Sequence, residues 1–418
     1  MPDHRITSFT YQARWVWSEG RWIEGGRVTV AGQRIVAVGT QHQSGEIDLG
    51  EQVMLPGLVN AHTHLEFSSL AQPLPYDQTF ANWIRNVVQW RQGQTDTDWH
   101  KAINLGRTES ARAGVAALGE ISTREWNAPA ALSEDAVDLT RSEPQSPQIV
   151  VFDEVLGLPP EAIAPQMADA GRHLRVGATR PLSEIERVSD WTAGLSPHAP
   201  YSISRELFAE VLSLAAGASC PVAMHLSETR EELELLAAGT GPLVELFAER
   251  GLWKPGQRAA FRSPREVLQL LSTLSRVLVV HGNYLTGDEL DFLAGRDQFS
   301  VIYCPRTHAY FQHDRYPLAA LLKRGIRVAL GTDSRASNPD LNLLSEVRHV
   351  AAHHPEVSPT ELLEMATRQG AEALGLGHSV GSISPGMRAV FCVVPMLSHV
   401  RDPFESVLQS SPTPSEPT

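Results

Sequence analysis

The chain has 418 residues, enough for two or three domain-sized units or for one large barrel with an appendage. Its formal net charge is −13, only Lys101, Lys254 and Lys323 are lysines, and no basic cluster occurs, which excludes a surface built for nucleic acid. No apolar run approaches membrane-spanning length, MPDHRITSFT lacks the basic-then-apolar pattern of a secretory signal, and the widely spaced Cys220, Cys304 and Cys392 form no disulfide framework; these features predict a soluble cytoplasmic protein with no membrane partner.

Residues 1–54 read as short alternating strands separated by glycines, a small β-sheet unit. From Pro56 the texture changes to short apolar runs alternating with helical stretches. The runs are PGLVNAHTH, GVAALGEIS, IVVFDEVLG, AGLSPHAPYS, PVAMHLSE, RVLVVHGNYL, FSVIYCPRTH and RVALGTDS. Eight strands alternating with helices such as TFANWIRNVVQWR and SRELFAEVLSLAA predict an α/β fold, a (β/α)8 TIM barrel. Two longer connections, 158–192 and 239–263, are expected to act as lids, interface elements or plain surface decoration. Helices continue to about residue 376, and GSISPGMRAVFCVVP then returns to strand and completes the N-terminal sheet. The expected division is 1–55 plus 381–400 as the sheet unit, 56–380 as the barrel, and a disordered Pro/Ser-rich tail at 401–418.

Polar residues gather at the C-terminal ends of the runs: His62, His64, Glu120, His198, His225, Glu228, His281, His308 and Asp333. Barrel active sites are built at that face. His62 and His64 are two residues apart in a strand and so point to one side, which suits a divalent ion such as zinc or iron. A single strand-end histidine is more often a satisfied core group; here nearly every strand ends in His, Asp or Glu.

PGLVNAHTH, SPHAPYS, HLSE, VVHGNYL, CPRTH and LGTDSRASNPDLNLLSE resemble the amidohydrolase superfamily. Within it they are most similar to the metal-dependent deaminase and chlorohydrolase branch, with its cytosine, guanine and S-adenosylhomocysteine deaminases. The resemblance covers nearly the whole chain. It implies a barrel with a composite β-sandwich formed by both termini. It also implies metal ligation by His62, His64, His225 and Asp333, with Asp333 taking a proton, His281 hydrogen-bonding at the reacting group and Glu228 carrying a proton to a ring nitrogen. His198 and Tyr201 resemble a substrate-facing motif of the nucleoside-deaminase members. HLEFS resembles the aminodeoxyfutalosine deaminases. Thr307-His308 stands where relatives usually carry Ser-Asn, which sets pyrimidine and guanine specificity in doubt.

The residues themselves add weaker substrate contacts. Glu66 lies two residues past the His pair and Arg306 is placed to meet an anionic or carbonyl group; Trp83 and Arg85 lie on the first helix as candidates to cover the site, with packing the favoured role for Trp83. No lysine ends a strand, so the carboxylated lysine of two-metal relatives has no counterpart and one divalent metal per chain, Zn or Fe, is expected. The expected function is hydrolytic deamination of an aminated purine nucleoside or related heterocycle by metal-activated water. The alternatives are hydrolysis of an amide or of a ring C–N or C–Cl bond at the same site, and a non-catalytic binding protein on the same barrel. The expected partner is a small-molecule substrate, and a homodimer follows from the resemblance alone.

Overall fold

The computed structural model describes residues 8–77, 79–126, 145–178 and 191–410. The N-terminal strands are Ser8–Gln12 (β1), Trp15–Ser18 (β2), Arg21–Glu24 (β3), Arg27–Ala31 (β4), Arg34–Gly39 (β5), Ile47–Asp48 (β6) and Gln52–Pro56 (β7). Arg27–Ala31 alternates as the sequence suggests: Val28 and Val30 are buried, and their neighbours are partly exposed. β5, β4, β1 and β6 make one four-stranded sheet. A second joins β3, β2 and β7 to Phe391–Pro395 (β16), which pairs antiparallel to β7 with Cys392 opposite Leu55. Tyr11, Val28, Met54, Ile383 and Phe391 share one core between these sheets, so both ends of the chain build the unit.

The barrel strands are Leu58–Thr63 (β8), Val115–Ser122 (β9), Gln148–Val155 (β10), Trp191–Pro197 (β11), Val222–Leu226 (β12), Val277–His281 (β13), Phe299–Tyr303 (β14) and Arg327–Leu330 (β15). All eight predicted runs are present, in sequence order and parallel. Strands such as β9 are buried along their whole length, which is why they read as continuous apolar runs. Closure is between β8 and the end of β15. Thr63 and Asp333 form a parallel bridge, and the Asp333 N–H donates to His62 O at 3.1 Å. Asn60 adds a side-chain clamp, donating from Nδ2 to Thr332 Oγ1 at 2.7 Å and accepting from Thr332 N at 3.0 Å. Gly114, at φ +76°, leads into β9 where an added Cβ would lie 2.8 Å from the Cys392 Cβ; barrel and terminal sheet touch there at backbone distance.

The helices Asp96–Arg112 and Ile163–Ala178 were not separately expected; the second occupies much of the 158–192 connection, whose residues 179–190 lie outside the described set. The 239–263 connection carries the helix Pro242–Glu249, tied to the helix Phe80–Gln92 by Arg85 and Glu249 at 2.8 Å. Arg85 is therefore a strut between two helices rather than a cover for the site. The tail departs from expectation. Pro403–Gln409 is a helix capped by Asp402, which accepts from Phe404 N at 2.9 Å, and it buries Phe404 and Val407. Two apolar anchors three residues apart in DPFESVLQ outweigh the Pro/Ser composition, which begins only at 410; residues 411–418 lie outside the described set. Among the described residues no helix is long and apolar enough to cross a membrane.

Candidate active site

Five side chains converge at the C-terminal mouth of the barrel. His62, His64 and Asp333 have ligand atoms within 4.8 Å of one another, and so do His62, His225 and His281. His62 Nε2 lies 3.6 Å and His64 Nε2 3.8 Å from Asp333 Oδ1, and His64 Nε2 lies 3.4 Å from His225 Nε2. Four ligands held tetrahedrally at the usual zinc distances would be separated by about 3.4 Å, so these spacings fit one shared ion. The hydrogen bonds agree. Neither ring nitrogen of the buried His62 has a protein partner. His225 donates from Nδ1 to His198 O at 3.1 Å, which leaves its Nε2 lone pair facing the cluster.

Electrostatics favour the ligand states. Burial, then the neighbouring His62, pushes His64 well below its ordinary pKa; burial, then His198, does the same to His225. Both are neutral donors. Burial would raise the Asp333 carboxyl, but the neighbouring His62, His281 and His64 imidazoles outweigh it and hold it below the usual range. Burial brings His281 down to about 3, against the pull of Asp333. Ser227, His281 and Asp333 all adopt left-handed backbone, with φ of +53°, +69° and +56°. Such conformations are uncommon outside glycine and cluster at functional sites.

Glu228 stands beside the cluster, with Oε1 3.5 Å from His281 Nε2. Burial first, then Asp333 and Glu232, raises its carboxyl well above the ordinary value and favours its protonated form. Its backbone is pinned. Glu232 accepts from the N–H groups of Ser227 at 2.9 Å and Glu228 at 2.8 Å, and Asn283 Nδ2 donates to Glu228 O at 2.9 Å. The acidic run SETREELE thus divides its labour, because Glu231 accepts from Phe80 N and Ala81 N and seats the first barrel helix. Glu232 escaped sequence reasoning; its only signal was the Thr229-x-x-Glu232 spacing of a helix start.

The substrate candidates separate into three groups. His198 and Tyr201 line the mouth: the His198 ring centroid is 5.0 Å from that of His225 and 5.8 Å from that of Tyr201, which also packs on Phe247 of the 239–263 connection. Glu66 is at the mouth too, but its carboxylate already accepts from Arg91 (2.6 and 3.2 Å) and from Thr123 Oγ1 (3.2 Å). His308 is buried beside Tyr303, Tyr316 and His313, with Nε2 unpartnered and burial bringing its pKa down to about 4.

Arg306 departs from expectation. It donates from Nε to Glu346 at 2.7 Å and from Nη1 and Nη2 to Asp340 at 3.1 and 2.6 Å, so its fork is spent on the loop that carries Asp333. Asn338 links the same network, donating to Thr332 O and to Glu346. Glu346 is fully buried, so Arg306→Met strands its charge; we expect a loss of about 3–5 kcal/mol in chemical denaturation. Glu120 is likewise structural, both its oxygens accepting from Leu65 N at 3.1 and 3.0 Å just after the His pair. Trp83 packs on Phe80 and Phe311 and donates to Ala336 O.

Known proteins share this design. The amidohydrolase family model matches residues 53–411. The chain is 29% identical over 385 residues to the 5-methylthioadenosine/S-adenosylhomocysteine deaminase of Nitratidesulfovibrio vulgaris, covering 88% of this chain and 76% of that one. It is 29% identical over 367 residues to the aminodeoxyfutalosine deaminase of Deinococcus radiodurans, covering 84% and 81%. In fold it is similar to the aminofutalosine deaminase of Helicobacter pylori solved with methylthio-coformycin, with a TM-score of 0.80, 24% identity and coverage of 96% and 95%. It is also similar to a zinc-bound adenosine deaminase of Xanthomonas campestris, with a TM-score of 0.72, 22% identity and coverage of 97% and 89%. With the family model matching residues 53–411, most of the chain, the chain belongs to the amidohydrolase family.

Proposed function

We propose that the chain is a mononuclear metal-dependent deaminase of adenosine-type nucleosides. The observation that carries the reading is Glu228: a buried carboxyl, pushed by burial towards its protonated form, 3.5 Å from His281 and beside the histidine–aspartate cluster. His62, His64, His225 and Asp333 are the ligand set, and three imidazoles with one carboxylate suit zinc or iron. A divalent ion held by these residues would act as a Lewis acid that lets a water ionise near neutral pH. Asp333, kept anionic, accepts the proton that this water gives up. His281, neutral and fixed by Tyr316 donating to its carbonyl at 2.8 Å, hydrogen-bonds to the water that attacks the amine-bearing carbon. Glu228 gives its proton to the ring nitrogen next to that carbon as the carbon becomes tetrahedral. Glu228 then takes up the proton of the hydroxyl newly bound to that carbon, and the proton held by Asp333 passes to the leaving amine, so that water and aminated ring become ammonia and a ring carbonyl with both carboxyl groups restored.

The relatives' names support an adenosine-type substrate such as 5′-methylthioadenosine or aminodeoxyfutalosine. His198 and Tyr201 are proposed to wall the heterocycle, and His308 to flank it from the β14 side. Three free, buried thiols support a reducing cytoplasmic setting; a homodimer rests on the resemblance alone. The test is ammonia release from a panel of adenosine, 5′-substituted adenosine, guanine and cytosine compounds. Ammonia with an inosine-type product is expected from the adenosine members. Metal-loaded protein that releases none from any of them would overturn the reading.

A further inference from the structure

Glu154, near the end of β10, is an acid that the mechanism does not use. Its side chain is 1% exposed, and neither carboxylate oxygen has a hydrogen-bond partner. His198 Nε2 is 3.9 Å from Oε1, too far for a hydrogen bond. The nearby Arg91 spends Nε and Nη2 on Glu66. Two acidic side chains thus flank one arginine, and only one of them is satisfied. A buried carboxylate without donors is costly, so one that persists at the mouth of a site calls for donors brought by a ligand.

Position around the barrel says which donors. The reacting groups follow β8, β12, β13 and β15. His198 follows β11 beside His225, Glu154 lies on β10, and Thr123, which holds Glu66, follows β9. A heterocycle with its reacting carbon between Glu228 and Asp333 therefore extends its far end past His198 towards Glu154. In an adenosine-type nucleoside that end is the sugar, whose 2′,3′-diol offers two O–H donors on adjacent carbons. One carboxylate has two acceptor oxygens to take them. Glu154 and Thr123 also border a cavity of about 240 Å³, floored by Trp126, His173 and Trp191, so space continues beyond the sugar.

Resting on the deaminase reading above, we infer that Glu154 is a specificity-determining residue that accepts both hydroxyls of the substrate's sugar diol. The experiment compares kcat/KM for a ribonucleoside substrate and for its 2′,3′-dideoxy analogue, in wild type, in Glu154→Gln and in Glu154→Asp. Wild type is expected to prefer the diol, and Glu154→Gln to shrink that preference by about 30-fold, mainly through KM for the ribonucleoside. Glu154→Asp, which keeps the charge on a shorter arm, is expected to fall between. A purely structural role would lower both substrates together and leave the ratio intact, which would overturn the inference. So would a wild type with no preference for the diol, a result that does not depend on any variant folding. A wild type that releases no ammonia at all would instead strike the deaminase reading, so the two failures are distinct.

Discussion

Glu228→Gln is expected to lower kcat by about 10²–10⁴-fold while metal content stays at the wild-type level. The amide keeps the shape of the carboxyl, and the backbone clamp by Glu232 and Asn283 is untouched, because it holds the Glu228 main chain. Only the transferable proton is lost. The pH profile gives the sign. Burial raises the Glu228 carboxyl, so the protonated, active form persists to higher pH than in an ordinary carboxyl and activity falls as pH rises past that raised value. The alkaline limb should be present in wild type and missing from the residual activity of the variant. A variant with unchanged turnover would remove Glu228 from the mechanism.

Asp333→Asn should be more severe, with turnover down by about 10³-fold or more and bound metal sharply reduced. Asp333 is the one carboxylate in the ligand set and the group that accepts the proton of the attacking water. The amide is a poor ligand and a poor base. The Asp333 backbone contacts that close the barrel, N–H to His62 O and the bridge to Thr63, do not involve the side chain, and Ser337 Oγ at 3.1 Å can still bond the amide oxygen. Far-ultraviolet dichroism should therefore stay near wild type while metal and activity fall. A variant that kept full metal and activity would exclude Asp333 as a ligand.

The barrel was readable because its signal is local. Each strand is a short, wholly buried apolar run, and each catalytic residue sits where such a run stops, as in VVHGN and LGTDS. Two imidazoles at i and i+2 need no tertiary information to share a face. What stayed hidden depends on distant partners. Arg306 looked free in CPRTH because Glu346, which immobilises it, is 40 residues away. Asp153 and Glu154 are adjacent in FDEV, and the period of two sends them to opposite sides without saying which faces the mouth. In the structure burial first, then Asp169 of the neighbouring helix and Glu154, raise Asp153 to about 7 against the pull of Arg172, whereas Glu154 faces His198. The tail misled for a different reason: composition averaged over 401–418 hid the Phe404 and Val407 anchors.

The central claim is that His62, His64, His225 and Asp333 hold the metal on which the chemistry depends. Elemental analysis of the wild-type chain, purified without chelators, tests it most directly. The account predicts about one equivalent of zinc or iron per chain. A fully folded chain with no metal, unable to take up zinc or iron when either is supplied, would contradict it.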